Sequence, residues 1–114
     1  MERGEVYRVR RPLGGPKSAR VLVVVSRQPT TDSAYATVIC APVFTQWHEL
    51  STQIHVSAAE GPKHESAIQC DGLMSLDKSR LAGYLRELSA DKSRELGDSL
   101  TVALGVSTRA RPTI

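Results

Sequence analysis

The chain has 114 residues, 40% of them hydrophobic, five aromatic, and a formal net charge of +3. That length holds one domain with one core, whose volume must come from Val, Leu, Ile and Ala. The start, Met1-Glu2-Arg3-Gly4-Glu5, carries no apolar signal stretch, and the longest apolar run, 21–25, is far too short to span a membrane; the expected location is the cytoplasm.

Charge is unevenly spread. Residues 1–30 carry seven basic side chains (Arg3, Arg8, Arg10, Arg11, Lys17, Arg20, Arg27) against Glu2 and Glu5, whereas 31–60 carry Asp32, Glu49 and Glu60 and no Lys or Arg. A basic leading third favours a polyanionic partner, because each cation beside a phosphate releases condensed counterions.

In chain order, 5–10 alternate apolar and polar residues, the period of a half-buried strand. Two prolines and two glycines within 12–16 break it into a loop. Residues 20–26 form a β-branched run expected as a strand buried on both faces, and 28–33 a polar loop. A third strand is expected over 35–43, a fourth over 52–56, a turn at 58–63, and a fifth strand over 66–74. A helical turn at 77–81 and a short strand at 83–86 follow. Ser89 is placed to cap a helix and Asp91 to meet its dipole. Leu96, Leu100, Ala103 and Leu104 recur at helical spacing, and Gly105 suits the C-cap. The domain is expected over 1–106, with 107–114 as a frayed tail. Short strands followed by one amphipathic helix predict a mainly β, α+β domain: a small, strongly bent antiparallel sheet or barrel capped by a C-terminal helix.

Cys40 and Cys70, thirty residues apart in apolar surroundings, fit no zinc spacing and are expected as buried thiols. His48, His55 and His64 are scattered. His55 lies between Ile54 and Val56, which puts it on a solvent face as a bystander.

The order of segments resembles the MazF/PemK toxins. Arg3-Gly4-Glu5-Val6-Tyr7 matches the family's opening, and Gly14-Gly15 leads into Arg20-Val21-Leu22-Val23-Val24-Val25-Ser26 as its Gly-rich loop and second strand do. Ile39-Cys40-Ala41-Pro42-Val43-Phe44-Thr45-Gln46 is similar to the end of its third strand. Asp71-Gly72-Leu73-Met74-Ser75-Leu76-Asp77-Lys78-Ser79-Arg80-Leu81 is similar to its Asp-Gln-Ile-Arg segment and the residues that follow, and Val102-Ala103-Leu104-Gly105-Val106 to its last helix.

The resemblance implies a CcdB/PemK-like barrel and a homodimeric endoribonuclease that needs no metal or other cofactor. In such an enzyme the ribose 2′-hydroxyl attacks the adjacent phosphorus of single-stranded RNA, giving 2′,3′-cyclic phosphate and 5′-hydroxyl ends. It implies an acidic antitoxin as partner and no membrane. The family's catalytic arginine falls on Arg20, whose guanidinium can hold two phosphate oxygens at once. Its catalytic threonine position falls on Phe44, with Thr45 one residue later as the candidate. Phe44 would then offer a stacking surface for a base, and Lys17, Arg27 and Gln46 complete the candidate RNA contacts. Gly72 and Met74 stand where the family has groove-lining Gln and Arg. The alternatives are a weak or inactive RNA-binding homologue and a CcdB-like gyrase poison; the chain lacks the Trp-Gly-Ile ending of the latter.

Overall fold

The computed structural model describes residues 1–9, 21–45, 50–57 and 65–106. The loop at 12–16, the turn at 58–63 and the tail at 107–114 lie outside them. Seven strands are described: β1 (Glu5–Arg8), β2 (Val21–Val24), β3 (Thr37–Phe44), β4 (Gln53–Val56), β5 (Ser66–Gln69), β6 (Met74–Asp77) and β7 (Gly83–Glu87). A short helix, α1 (Gln28–Asp32), links β2 to β3, and a longer one, α2 (Ala90–Leu104), closes the chain's core. The strands form one antiparallel sheet in the order β4-β5-β3-β2-β1-β7, with β6 also on β3. It is the curled sheet with a terminal helix that the patterning predicts.

Alternation along β2 and β3 loads both faces. Val21, Val23, Ala41 and Val43 point to one side, where Ile54, Val56, Ile68, Leu96 and Leu100 complete the larger core. Leu22, Val24, Val38 and Cys40 point to the other, packed with Tyr7, Val9, Leu76 and Leu81. A strand whose two faces are both buried reads as a continuous apolar run, which is why 21–25 carries no alternation. Cys40 and Cys70 are free, buried thiols in opposite clusters, as expected of them.

Helix α2 starts and stops where its caps dictate. The Ser89 side chain accepts a hydrogen bond from the Lys92 N–H, and Gly105 takes the left-handed conformation at φ +66°. Its apolar stripe is shorter than the spacing predicts. Leu96 and Leu100 are buried and Ala103 packs on the core, but Leu104 is 61% exposed. The buried polar residue on this helix is Ser99.

Two further expectations need correction. The polar stretch 28–33 is helical over its first five residues, with Pro29 in the first turn where a missing N–H costs no helical bond. The single strand expected over 66–74 is two. Val43 pairs with Ile68 and Cys40 with Met74, so six steps on one chain face three on β3. A 3₁₀ turn, Cys70–Gly72, takes up the excess. Gly72 fits there because its backbone lies against Pro42: a Cβ on Gly72 would stand 3.2 Å from the proline Cγ. No described helix is long and apolar enough to cross a membrane.

Candidate active site

The start of β2 and the end of β3 lie side by side, since Val21 pairs with Val43 and Leu22 with Pro42. Cross-strand partners share a face, so Pro42 and Phe44 sit on the Leu22 side. Phe44 is half-buried against the smaller cluster there. Thr45 is exposed, one residue beyond the strand. Arg20, Lys17 and Gln46 lie outside the described residues, as do His48 and His64. By sequence, Arg20 is one peptide bond from Val21.

The same face continues across the sheet. Phe44 pairs with Ala67, and Ala67 with His55. Two residues along, the Gln53 amide donates to Gln69 Oε1 at 2.7 Å. His55 Nε2 lies 3.4 Å from Glu65 Oε1. The His55 carbonyl accepts from Lys92 Nζ of α2 at 2.7 Å, and that ammonium is 3.5 Å from Glu95. Near the 3₁₀ turn, Thr52 Oγ1 donates to Asp71 Oδ2 at 2.6 Å, and the Cys70 N–H to the Thr52 carbonyl at 2.9 Å. One face at one end of the sheet therefore gathers a ring, an imidazole, paired amides and the bare backbone of Gly72.

Sequence reasoning set His55 aside. Its parity was legible, because Ile54 and Val56 are buried and His55 is not. Its neighbours were not. Alternation shows which way a side chain points, and only strand register shows that Phe44 points the same way two strands off.

Arg27 belongs elsewhere on the molecule. It is exposed and precedes α1, beyond the opposite end of β2, roughly 20 Å along the strand direction from Val21 at about 3.3 Å per residue. With Tyr35, Ile39, Leu73, Leu100 and Leu104 it borders an open groove of about 430 Å³. Tyr35 and Ile39 are 67% and 44% exposed. Within one protomer the structure does not bring Arg27 to Phe44.

Burial decides the chemistry of the thiols. Desolvation pushes Cys40 up to about 12, and desolvation with the Asp71 charge pushes Cys70 up to about 11, so neither is a nucleophile at neutral pH. Among the described residues no three His, Cys, Asp or Glu side chains converge as a metal-ligand set.

With this geometry in place, comparison with known proteins decides the family. The model for "PemK-like, MazF-like toxin of type II toxin-antitoxin system" matches residues 2–104. The chain belongs to that family. Among curated members of this kind, the Endoribonuclease MazF of Staphylococcus saprophyticus is 29% identical over 113 residues, covering 95% of this chain and 94% of its own. The MazF-like fold recurs in solved structures. An endoribonuclease in complex with its cognate antitoxin from a mycobacterial species superposes with a TM-score of 0.79 at 21% identity, covering 96% of this chain and 99% of that one. A MazE–MazF structure from Deinococcus radiodurans gives 0.71 at 21% identity, over 94% and 98%.

Proposed function

We propose that this MazF-like chain is the endoribonuclease toxin of a toxin–antitoxin pair. It cuts single-stranded RNA without a metal, by attack of the 2′-hydroxyl on the adjacent phosphorus, and leaves 2′,3′-cyclic phosphate and 5′-hydroxyl ends. The observation that carries this reading is the family match across residues 2–104, joined by the endoribonuclease relative that aligns along 95% of the chain.

Arg20, directly before the strand residue that pairs with Val43, grips the phosphate and stabilises the charge of the pentacovalent transition state. Thr45, exposed just past β3, stands at the same end of the sheet and assists it. Phe44 offers a ring on which a base stacks. Lys17 and Gln46 contact the RNA near the site, and Arg27 contacts it at the far end of β2.

The active form is a homodimer in the cytoplasm, where RNA and an acidic antitoxin are met. The groove bordered by Ile39, Leu73, Leu100 and Leu104 supports the dimer. Its Ile39 and Leu104 are exposed apolar side chains on that groove, the kind of surface that marks a protein contact. An antitoxin partner is supported by the mycobacterial and Deinococcus relatives, which were solved with theirs.

The test is incubation of the purified chain with a long single-stranded RNA in excess EDTA, followed by mapping of new ends. Cyclic-phosphate and 5′-hydroxyl ends that vanish with Arg20→Ala are expected. RNA binding without cleavage would instead make the chain a binding homologue, and gyrase inhibition without cleavage a CcdB-like poison.

A further inference from the structure

Arg27 and Tyr35 stand on either side of α1 and line one cavity of about 360 Å³, together with Pro29, Thr30 and Ser33. We propose, on the basis of the RNA-cleaving reading above, that this cavity is a subsite for one nucleotide of the single-stranded RNA, away from the cut. Tyr35 stacks on the base, and Arg27 holds the adjoining phosphate.

Both side chains are available for the task. Arg27 is exposed, and its guanidinium makes no hydrogen bond or ion pair among the described residues. Tyr35 is 67% exposed, and its ring and hydroxyl have no partner among them either. Asp32, the acid of α1, accepts from Gln28 Nε2 at 2.7 Å and does not line the cavity. The fold itself gives neither the ring nor the cation anything to do.

The backbone that carries them is fixed. Ser33 Oγ donates to the Thr30 carbonyl at 2.7 Å and accepts from the Tyr35 N–H at 3.1 Å. Lys78 Nζ donates to that same Thr30 carbonyl and to the Ser33 carbonyl. At the other end, the Arg27 carbonyl accepts from the Thr30 and Thr31 N–H groups. Ring and guanidinium therefore leave a short segment that is already pinned, and a ligand bridging them has little beyond two side chains to order. The Lys78 ammonium, bonded to this backbone, adds a second positive charge beside the cavity.

Chemistry selects the occupant. The volume lies in the range of small-ligand pockets. Stacking on an aromatic ring suits any base, and a guanidinium can hold two phosphate oxygens at once. The Thr30 hydroxyl, unbonded among the described residues, is left for a base or sugar edge. A nucleotide joins a flat ring to a single negative group and meets all three. An acidic peptide would satisfy Arg27 and leave the Tyr35 face without a counterpart. The apolar groove assigned to the dimer opens alongside and shares Arg27, Thr30 and Tyr35, but Ile39, Leu73, Leu100 and Leu104 line the groove and not this cavity.

The experiment measures binding of a 2′-O-methylated single-stranded RNA, which cannot be cut, across a salt series. It compares wild type, Tyr35→Ala, Tyr35→Phe and Arg27→Gln. Tyr35→Ala should weaken binding about 5- to 150-fold, and Tyr35→Phe, which keeps the ring, should regain most of that loss. Arg27→Gln should flatten the slope of log affinity against log salt by about 0.7, the share of one phosphate. Removing the bases of the RNA one at a time should find one position where wild type loses the same factor and Tyr35→Ala loses nothing more. Losses that add at every position would overturn the assignment, as would wild-type affinity in Tyr35→Ala. A fall in affinity that accompanies loss of the dimer would make Tyr35 an interface residue instead. Unchanged RNA affinity with weakened binding of an Asp- and Glu-rich peptide would give the cavity to a protein partner. Wild type that shows the coupling yet cuts no RNA in EDTA refutes the ribonuclease reading and keeps the subsite. Wild type that cuts RNA while Tyr35→Ala binds it equally well does the reverse.

Discussion

Lys78 Nζ donates to the Ser33 carbonyl at 2.8 Å and to the Thr30 carbonyl at 3.1 Å, bridging β6's exit to the end of α1. Its own N–H bonds the Ala36 carbonyl at 2.9 Å. From the other side, the Gln28 amide accepts from the Arg3 N–H and donates to the Met1 carbonyl. A five-residue helix has no stability of its own in water, so these clamps are what keep α1 folded. Lys78→Met retains the stem and removes both charged hydrogen bonds. It should destabilise the protein by about 1.5–3 kcal/mol, read as a lower urea midpoint, with faster amide exchange confined to the segment around α1.

That clamp shows why parts of the fold were illegible in the sequence. The strands, the Ser89 and Gly105 caps and the buried thiols follow from local rules, and all were readable. Helix α1 was not, because Pro29, Asp32 and Ser33 are turn formers and the partners that hold the helix, Met1, Arg3 and Lys78, are distant in the chain. The break between β5 and β6 is equally non-local, set by where both strands dock on β3. Leu104 has the spacing of a core residue, yet it borders an open groove and stays exposed. At the site, the resemblance supplied Arg20 and Thr45, but the company of His55 came only with the register.

Alkali should unfold the protein through its buried acids. Cys40 and Cys70 are raised from 9.0 to about 12 and about 11, and burial with the Glu5 hydrogen bond raises Tyr7 as well. A group whose pKa is raised by folding holds its proton in the native state after the unfolded chain has lost it. Its contribution is therefore complete below pH 9 and is lost as pH climbs towards 12. Urea midpoints should be level from pH 7 to about 8.5 and fall steadily above it. Cys40→Ser with Cys70→Ser should flatten the slope even if it lowers the plateau.

The apolar groove beside α2 predicts where two copies meet. Ile39 and Leu104, at 44% and 61% exposure, are costly to leave wet in a monomer, and each buried side chain of this size contributes about 1.5–3 kcal/mol. Leu104→Glu adds a charge to that face without touching the core formed by Leu96 and Leu100. Sedimentation should show wild type as a dimer and Leu104→Glu as a folded monomer with an unchanged circular dichroism spectrum. A Leu104→Glu chain that stays dimeric would move the interface to another surface.

Gly4 is the point where three parts of the chain are tied together, and its conformation leaves little choice of residue. Its φ of +91° lies in the region that a Cβ disfavours. Its N–H donates to the Val24 carbonyl at 2.8 Å, and its carbonyl accepts from the Leu88 N–H at 3.0 Å, so β2 and the approach to α2 are both fixed on it. Space is not the obstacle: an added Cβ would meet only Ser93 Oγ, at an ordinary 3.4 Å. Gly4→Ala therefore isolates backbone strain and should cost about 1–2 kcal/mol, read by thermal or urea unfolding. RNA binding by the folded fraction should be unchanged, because Gly4 lies away from the Phe44 row. A larger loss would mean that the residue cannot hold φ and that both hydrogen bonds break with it.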